Sequence, residues 1–267
     1  MLTTPSGRRA LLRAGGLPGP SPTIVVVHGY TGTPTGIERF AELTDVANSR
    51  GIAVAYPEGT TTDQGGFGWN TGAEVFATTT GDDVAAIGEM LDALGSTGCV
   101  ESAQLTLVGE SNGGGLAIVA ACSPQLAGRF SRVVVVNAAV DEGVLARCTG
   151  ATGQTPLTAI GGSLDETVPV LGTAQLLPAS DWFAVASSTI AGCRAVVAAP
   201  DVDAVVSRTV GTGCGGCSEL LVVADGTHTW PGVSRDVSGL TPGTFDLNTL
   251  LIDAALAPTT RCLTGLP

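Results

Sequence analysis

The sequence has no lysine, only two histidines and few charged residues of any kind. Charged side chains make up 13% of its 267 residues, against roughly 25% in typical soluble proteins. All 12 basic residues are arginine, and 24 acidic residues give a net charge of −12. Because binding to phosphates or anionic lipids needs clustered cations, this composition argues against nucleic acids and membrane surfaces as partners.

Long apolar runs are absent as well. The longest β-branched runs, 24–27 and 133–136, have the length of strands, whereas a membrane span needs about 20 apolar residues. Residues 1–5 are polar, and no apolar segment typical of a signal peptide follows Arg8 and Arg9. A hydrophobic fraction of 44% excludes global disorder, so the sequence predicts a compact protein without a membrane span.

Seven cysteines stand in this acidic chain. That number favours disulfide bonds and an oxidising compartment, with buried free thiols in a cytosolic protein as the alternative. Because the number is odd, at least one thiol stays unpaired. We therefore expect a secreted protein whose export signal has been removed.

Short apolar strands alternate with helical patterns along the chain. The strands are predicted at 23–27, 52–56, 105–108, 133–136, 157–160 and 220–223, after an N-terminal strand and a loop at 15–22. The helices are predicted at 37–49, 82–94, 116–122, 171–191 with a break near 178, and 245–256. This pattern predicts one α/β domain over residues 1–267, with a mostly parallel, doubly wound sheet, helices on both faces and little or no lid. Functional residues of such sheets lie at the carboxyl ends of the strands.

The segment Gly109–Gly113 reads GESNG and matches the nucleophile-elbow pattern G-x-S-x-G. It follows the predicted strand at 105–108 and precedes an apolar helix, which is the context that the pattern requires. The turn would hold Ser111 in a strained conformation at the end of the sheet. The backbone N–H of Asn112, at the start of the helix, would then stabilise a developing oxyanion.

A serine nucleophile needs a base and an acid. In α/β-hydrolases the order along the chain is serine, acid, histidine. His228 follows both Ser111 and the last predicted strand, so it is the predicted base, whereas His28 precedes the serine. We expect activity to fall in acid as His228 is protonated, near a pKa of about 6.5 if that pKa is unperturbed.

Asp165 is the predicted acid, because it follows the strand at 157–160 closely and could orient the imidazole of His228. Its neighbour Glu166 stays an alternative, and Asp141 and Asp201 are weaker candidates. The turn after the first apolar strand should supply the second oxyanion donor. We assign this role to the backbone N–H of Tyr30, whose ring could also line the cleft.

Several motifs together resemble the poly(3-hydroxybutyrate) depolymerase and feruloyl esterase family of α/β-hydrolases. They are VHG at 27–29, DDV at 82–84, GESNG at 109–113, the acid loop at 162–169 and HTWPG at 228–232. The resemblance covers nearly the whole chain and implies a Ser111–Asp165–His228 triad. Two motifs depart from the family pattern. After the first His-Gly, where members of the family often have a cysteine, this chain has Tyr30 and Thr31, which gives a Gly-Tyr-Thr turn similar to that of cutinases. The acid loop also begins GGS rather than HGT.

The resemblance also implies roles for two tryptophans. Trp69 lies in a glycine-rich loop where an aromatic ring could stack on the substrate, with a packed loop anchor as the alternative. Trp230 is a second candidate for substrate contact, although bracing of the histidine loop fits it better.

Among the cysteines, the resemblance implies a Cys122–Cys148 bond and a bond from Cys193 to Cys214 or Cys217. A Cys99–Cys262 bond would tie down the C-terminus. The C-x-x-C at 214–217 could instead bind zinc or act in redox chemistry, but no second cysteine pair accompanies it. We expect no metal and no cofactor.

Together these features predict a secreted, monomeric serine esterase that cleaves carboxylic esters through an acyl-enzyme. The expected substrate is a polyester, either a polyhydroxyalkanoate or an aromatic polyester. The alternatives are a feruloyl or acetyl-xylan type of esterase that acts on plant cell-wall esters, and a non-catalytic polymer-binding protein on the same scaffold. Nothing in the sequence favours peptidase action.

Overall fold

The computed structural model describes residues 1–16, 19–76, 80–148, 150, 153–233, 245–256 and 260–265. Its strands are β1 (Leu2–Thr3), β2 (Arg9–Arg13), β3 (Ser21–Val27), β4 (Ala53–Pro57), β5 (Thr60–Thr61), β6 (Phe67–Gly68), β7 (Val100–Glu110), β8 (Arg132–Val136), β9 (Leu157–Gly162), β10 (Ala195–Ala199), β11 (Val206–Thr212) and β12 (Ser218–Val223). Its α-helices are α1 (Pro34–Ala41), α2 (Thr44–Ser49), α3 (Asp83–Ser96), α4 (Asn112–Cys122), α5 (Glu142–Ala146), α6 (Ala179–Ile190) and α7 (Leu247–Leu256).

Ten of these strands form one sheet in the order β1-β2-β4-β3-β7-β8-β9-β12-β11-β10. The six central strands, β4 to β12 in that order, are parallel to one another. The two outer strands on either edge are antiparallel to their neighbours. The mostly parallel, doubly wound α/β architecture predicted from the sequence is confirmed.

Each central strand is buried on both faces, which explains the continuous apolar runs in the sequence. In β3, Val25 and Val27 join a core cluster that includes residues of α3, α4 and α6. Ile24 and Val26 point to the other face and join a cluster with α1, α2 and α7. The alternation of side chains along a strand therefore builds two cores, one on each side of the sheet. In the described part of the chain, no helix is long and apolar enough to cross a bilayer.

Two helix predictions need correction. The helix expected at 37–49 is divided into α1 and α2, because Glu42 adopts a left-handed conformation with φ of 49°. The helix expected from residue 171 begins only at Ala179, with Pro178 as its N-cap. Proline cannot donate the backbone hydrogen bond that a helix interior needs, so it stands at the helix start.

Three disulfide bonds cross-link the chain. Cys122–Cys148 is confirmed, and of the two partners proposed for Cys193 the structure selects Cys214. Cys217 pairs with Cys262, so the predicted Cys99–Cys262 bond is wrong, and Cys99 is an exposed free thiol. Both sulfurs of the C-x-x-C are thus bonded to different partners, which removes them as zinc ligands or as a redox pair.

Candidate active site

Four polar residues lie at the carboxyl ends of parallel strands on one edge of the sheet. His28 follows β3, Ser111 follows β7, Asp165 comes shortly after β9, and His228 lies in the loop after β12. These strands are close neighbours, with only β8 between β7 and β9. The sequence prediction that reactive side chains gather at this edge matches their placement.

Ser111 occupies the sharp turn between β7 and α4. Its backbone has φ of 53° and ψ of −119°, an unusual conformation for a residue with a side chain, which costs about 1–3 kcal/mol. Gly109 and Gly113 permit this turn, because a Cβ atom on Gly109 would collide with the Gly113 carbonyl. The Ser111 N–H donates to the Val136 carbonyl at 2.9 Å, which fixes the turn to β8. The strained turn is therefore held by the surrounding sheet.

Asp165 is buried and fully engaged in hydrogen bonds. One carboxylate oxygen, Oδ2, lies 2.7 Å from Nδ1 of His228. The other, Oδ1, accepts the backbone N–H groups of Thr167 and Val168 at 2.9 and 2.7 Å. Because both oxygens have fixed partners, the carboxylate orients the imidazole ring, with its Nε2 atom on the side away from Asp165.

The other candidate acids are placed differently. Asp141 caps α5 by accepting the N–H of Val144 at 3.0 Å, and it accepts the N–H of Glu74 at 2.8 Å. Glu166 and Asp201 are exposed. Of the four candidates, only Asp165 contacts His228 in the described structure.

Glu110 is a member of the site that the sequence analysis missed. Its Oε1 atom lies 3.3 Å from Nε2 of His228, on the side of the ring opposite Asp165. The only signal in the sequence was its place before Ser111. A strand-end residue at this position can face either the cavity or the protein interior, so the contact was not predictable.

Two carboxylates raise the pKa of His228. Burial of the ring lowers this pKa, but hydrogen bonds to Asp165 and Glu110 and their negative charges raise it to about 9 overall. The pKa of His228 is therefore perturbed, and the fall of activity in acid is expected near pH 9 rather than near pH 6.5. His28 behaves in the opposite way: burial lowers its pKa to about 4, partly offset by the hydrogen bond to the Gly29 carbonyl.

We expect the two imidazole rings to titrate far apart in NMR spectra, His28 near pH 4 and His228 near pH 9. His228 binds its proton more tightly in the folded state, so it stabilises the fold fully below about pH 6.5 and loses this contribution, about 3 kcal/mol, by about pH 9. Denaturant unfolding of His228→Gln should lack this alkaline decline. A decline of equal size in the variant would contradict the assignment.

The candidate oxyanion donors are the backbone N–H groups of Asn112 and Tyr30. Asn112 is the first residue of α4, and the first N–H groups of a helix have no partner within the helix. The Asn112 side chain is used elsewhere, since its Oδ1 accepts the Trp69 N–H at 2.8 Å and its amide donates to the Trp69 carbonyl at 3.2 Å. Tyr30 lies in the turn after β3 and lines the same cavity as Ser111.

Both tryptophans are buried in the described structure, which favours the anchoring and bracing alternatives over contact with substrate. Trp69 is 1% exposed, and its indole N–H donates to the His28 carbonyl at 2.8 Å. Trp230 is fully buried and donates to Asn248 Oδ1 at 2.9 Å. Trp69 thus anchors its loop to the turn after β3, and Trp230 braces the histidine loop against α7.

A cavity of about 710 Å³ opens at Ser111 and His228. Its wall is mostly apolar, with contributions from Ile37, Phe40, Val75, Phe76, Val168 and Leu176. Tyr30 packs its ring against Phe76, with the ring centres 4.9 Å apart, and its hydroxyl donates to Asp63 at 3.3 Å. The cavity therefore suits an apolar group placed next to the serine hydroxyl.

The fold is similar to the folds of known structures. The acetyl xylan esterase from Aspergillus awamori matches with a TM-score of 0.61 and 16% identity, over 84% of this chain and 89% of that chain. The phospholipase/carboxylesterase from Dyadobacter fermentans matches with a TM-score of 0.56 and 15% identity, over 96% and 99%. The chain has the α/β-hydrolase fold. At such low identity these likenesses establish the α/β-hydrolase fold alone.

An S-formylglutathione hydrolase from Agrobacterium tumefaciens also shares this fold, with a TM-score of 0.56 and 14% identity over 84% of this chain and 83% of that chain. No protein-family model and no curated protein sequence matches the chain. The resemblance to poly(3-hydroxybutyrate) depolymerases therefore stays a prediction, whereas the predicted α/β-hydrolase fold is confirmed.

Proposed function

We propose that the protein is a serine esterase that hydrolyses carboxylic esters through an acyl-enzyme intermediate. The observation that carries this proposal is the arrangement at the strand ends. Ser111 stands in a strained elbow, shares a cavity with His228, and His228 is oriented by a buried carboxylate at 2.7 Å. This combination of nucleophile, base and orienting acid is the one that acyl transfer requires.

In the first half-reaction, Oγ of Ser111 attacks the ester carbonyl carbon while Nε2 of His228 takes the hydroxyl proton. The carbonyl oxygen becomes an oxyanion, and the backbone N–H groups of Tyr30 and Asn112 donate to it. When the tetrahedral intermediate collapses, the bond to the leaving oxygen breaks and His228 gives its proton to the departing alcohol. The acyl group remains on Ser111.

In the second half-reaction, water attacks the acyl-enzyme and His228 takes a proton from it. Collapse of the second tetrahedral intermediate releases the carboxylic acid and returns the proton to Ser111. Asp165 keeps Nδ1 of His228 protonated throughout and stabilises the positive charge that the ring carries in each intermediate.

The substrate that we propose is a neutral ester with an apolar acyl or aryl group, as in a polyhydroxyalkanoate or an aromatic polyester. Two features of the cavity support this proposal. Its wall is mostly apolar, which suits an apolar acyl or aryl group. Glu110 also lines it, so an anionic acyl group would meet a carboxylate there. The three disulfide bonds support export of the protein to an oxidising compartment.

Rates on matched esters and amides test the proposed function. We expect the purified protein to hydrolyse p-nitrophenyl butyrate at pH 9.5 and to leave the corresponding anilide intact. Films of polyhydroxybutyrate and of a terephthalate polyester, with methyl ferulate beside them, then separate the polyester proposal from a feruloyl-type activity. If none of these esters is hydrolysed at this pH, the proposed esterase activity is refuted and the polymer-binding alternative remains.

A further inference from the structure

Glu110 places a second carboxylate on the imidazole that acts as the base. In a triad of three residues, Nε2 of the histidine faces only the nucleophile and the substrate. Here Oε1 of Glu110 lies 3.3 Å from this same nitrogen, while Asp165 holds Nδ1 at 2.7 Å. His228 therefore lies between two acidic groups, one at each ring nitrogen.

The Glu110 carboxylate is fixed in this position by its surroundings. Glu110 is the last residue of β7, where it pairs with Val136 of β8, and it is only 7% exposed. Its Oε2 atom packs against Gly29, so closely that a Cβ atom on Gly29 would collide with it. A carboxylate held in this way cannot swing out to solvent without opening the turn after β3.

His228 is the ion-pair partner found for Glu110 in the described structure. The titratable residues that line the cavity are His28, Tyr30, Glu110 and His228, and the first of these is kept neutral by burial. On α1, Arg39 borders a separate small cavity beside Thr229 rather than this one. No arginine among the described residues lines the active-site cavity, so the charge of Glu110 acts mainly on His228.

We propose that Glu110 is a positioning residue that stabilises the protonated form of His228 and thereby shifts the working range of the esterase to alkaline pH. This inference rests on the proposed function. When Nε2 takes the proton of Ser111, the new positive charge forms next to Glu110, which favours this step. The same attraction keeps His228 protonated at neutral pH, where it cannot act as a base.

The pH profiles of kcat/KM for the wild type and for Glu110→Gln test the proposal, because the proposal predicts that they cross. Loss of a structural contact alone would lower the activity at both neutral and alkaline pH. Removal of an opposite charge at this distance lowers a pKa by about 1 unit or more. In Glu110→Gln we therefore expect the pH profile of kcat/KM to move down by about 1 unit, which makes neutral His228 about tenfold more abundant at pH 7 and raises the activity there by a smaller factor, about threefold. Above pH 9.5 the variant should be severalfold slower, because the weaker base accepts the serine proton less readily.

A titration of His228 by NMR makes the test independent of turnover. We expect the ring to titrate about 1 pH unit lower in Glu110→Gln than in the wild type, and at an intermediate pH in Glu110→Asp, whose carboxylate is withdrawn by one methylene group. Glu101→Gln is the matched control. It removes the same charge from the opposite end of β7, where Glu101 accepts the N–H of Ala103, and it should leave the titration unchanged.

The possible failures are distinguishable. An unchanged His228 titration in both Glu110 variants overturns the proposal, even where ester hydrolysis is intact. Should Glu110→Gln not fold, the comparison of Glu110→Asp with Glu101→Gln decides alone. A lowered titration in a protein that hydrolyses no ester would instead support the Glu110–His228 coupling and refute the esterase.

Discussion

We expect Ser111→Ala to lower kcat/KM for p-nitrophenyl butyrate by at least about 10⁴-fold, because the variant has no group that can carry the acyl intermediate. The cavity wall and the oxyanion donors remain, so some slow hydrolysis by bound water is compatible with this result. Substrate binding should change little, since a serine-to-alanine change removes one oxygen from a wall that is mostly apolar. Initial rates at pH 9.5, where His228 is mostly neutral, give the measurement.

Ser123→Ala is the control for this experiment. Ser123 is the C-cap of α4, at the other end of the helix that begins after Ser111, and its hydroxyl accepts the Gln125 N–H at 3.2 Å. The control therefore makes the same chemical change on the same helix and should keep full activity. Retention of more than a few per cent of the activity in Ser111→Ala would exclude this serine as the nucleophile.

Asp165→Asn should lower kcat by about 10³- to 10⁴-fold, for a reason that lies in the hydrogen bonds of the acid loop. Oδ1 of Asp165 accepts two backbone N–H groups, so the oxygen of an asparagine would stay in that position. Its NH₂ group would then face Nδ1 of His228 and donate to it. The ring would be forced into the tautomer with its proton on Nε2, which cannot accept the proton of Ser111.

The same substitution at an exposed acid is the control. Asp201→Asn changes a residue that the sequence left open as a weaker candidate, and it should leave the rate unchanged. If Asp165→Asn retains most of its activity, the acid assignment is wrong. If Asp201→Asn loses activity instead, the weaker candidate takes its place. Circular dichroism of both variants shows whether the fold is intact.

The central part of the fold could be predicted from the sequence because its signals are local. The strands at 105–108 and 133–136 are continuous apolar runs, as strands buried on both faces must be. The elbow at 109–113 combines a fixed spacing of glycines with a strand before it and a helix after it. The order of Ser111, Asp165 and His228 is predicted from their places after three of these apolar strands.

Other features depend on contacts between distant segments and could not be predicted in this way. The partner of Cys217 is set by the C-terminal segment, where the Cys217 N–H donates to the Thr260 carbonyl and brings Cys262 close. A loop tryptophan such as Trp69 can either stack on a ligand or anchor its loop, and the sequence alone leaves both roles open. The sequence does not predict the β10–β11 hairpin, because its short strands are half-exposed and lack a clear apolar face.

Covalent labelling of the native protein with a fluorophosphonate tests most directly whether Ser111 is an activated nucleophile. Mass spectrometry of the intact protein and of its peptides gives the number and the site of the adducts. We predict one adduct per chain, on Ser111, that forms faster as the pH rises toward 9 and is absent from Ser111→Ala. No adduct at pH 9.5, or an adduct on a different residue, would contradict the account.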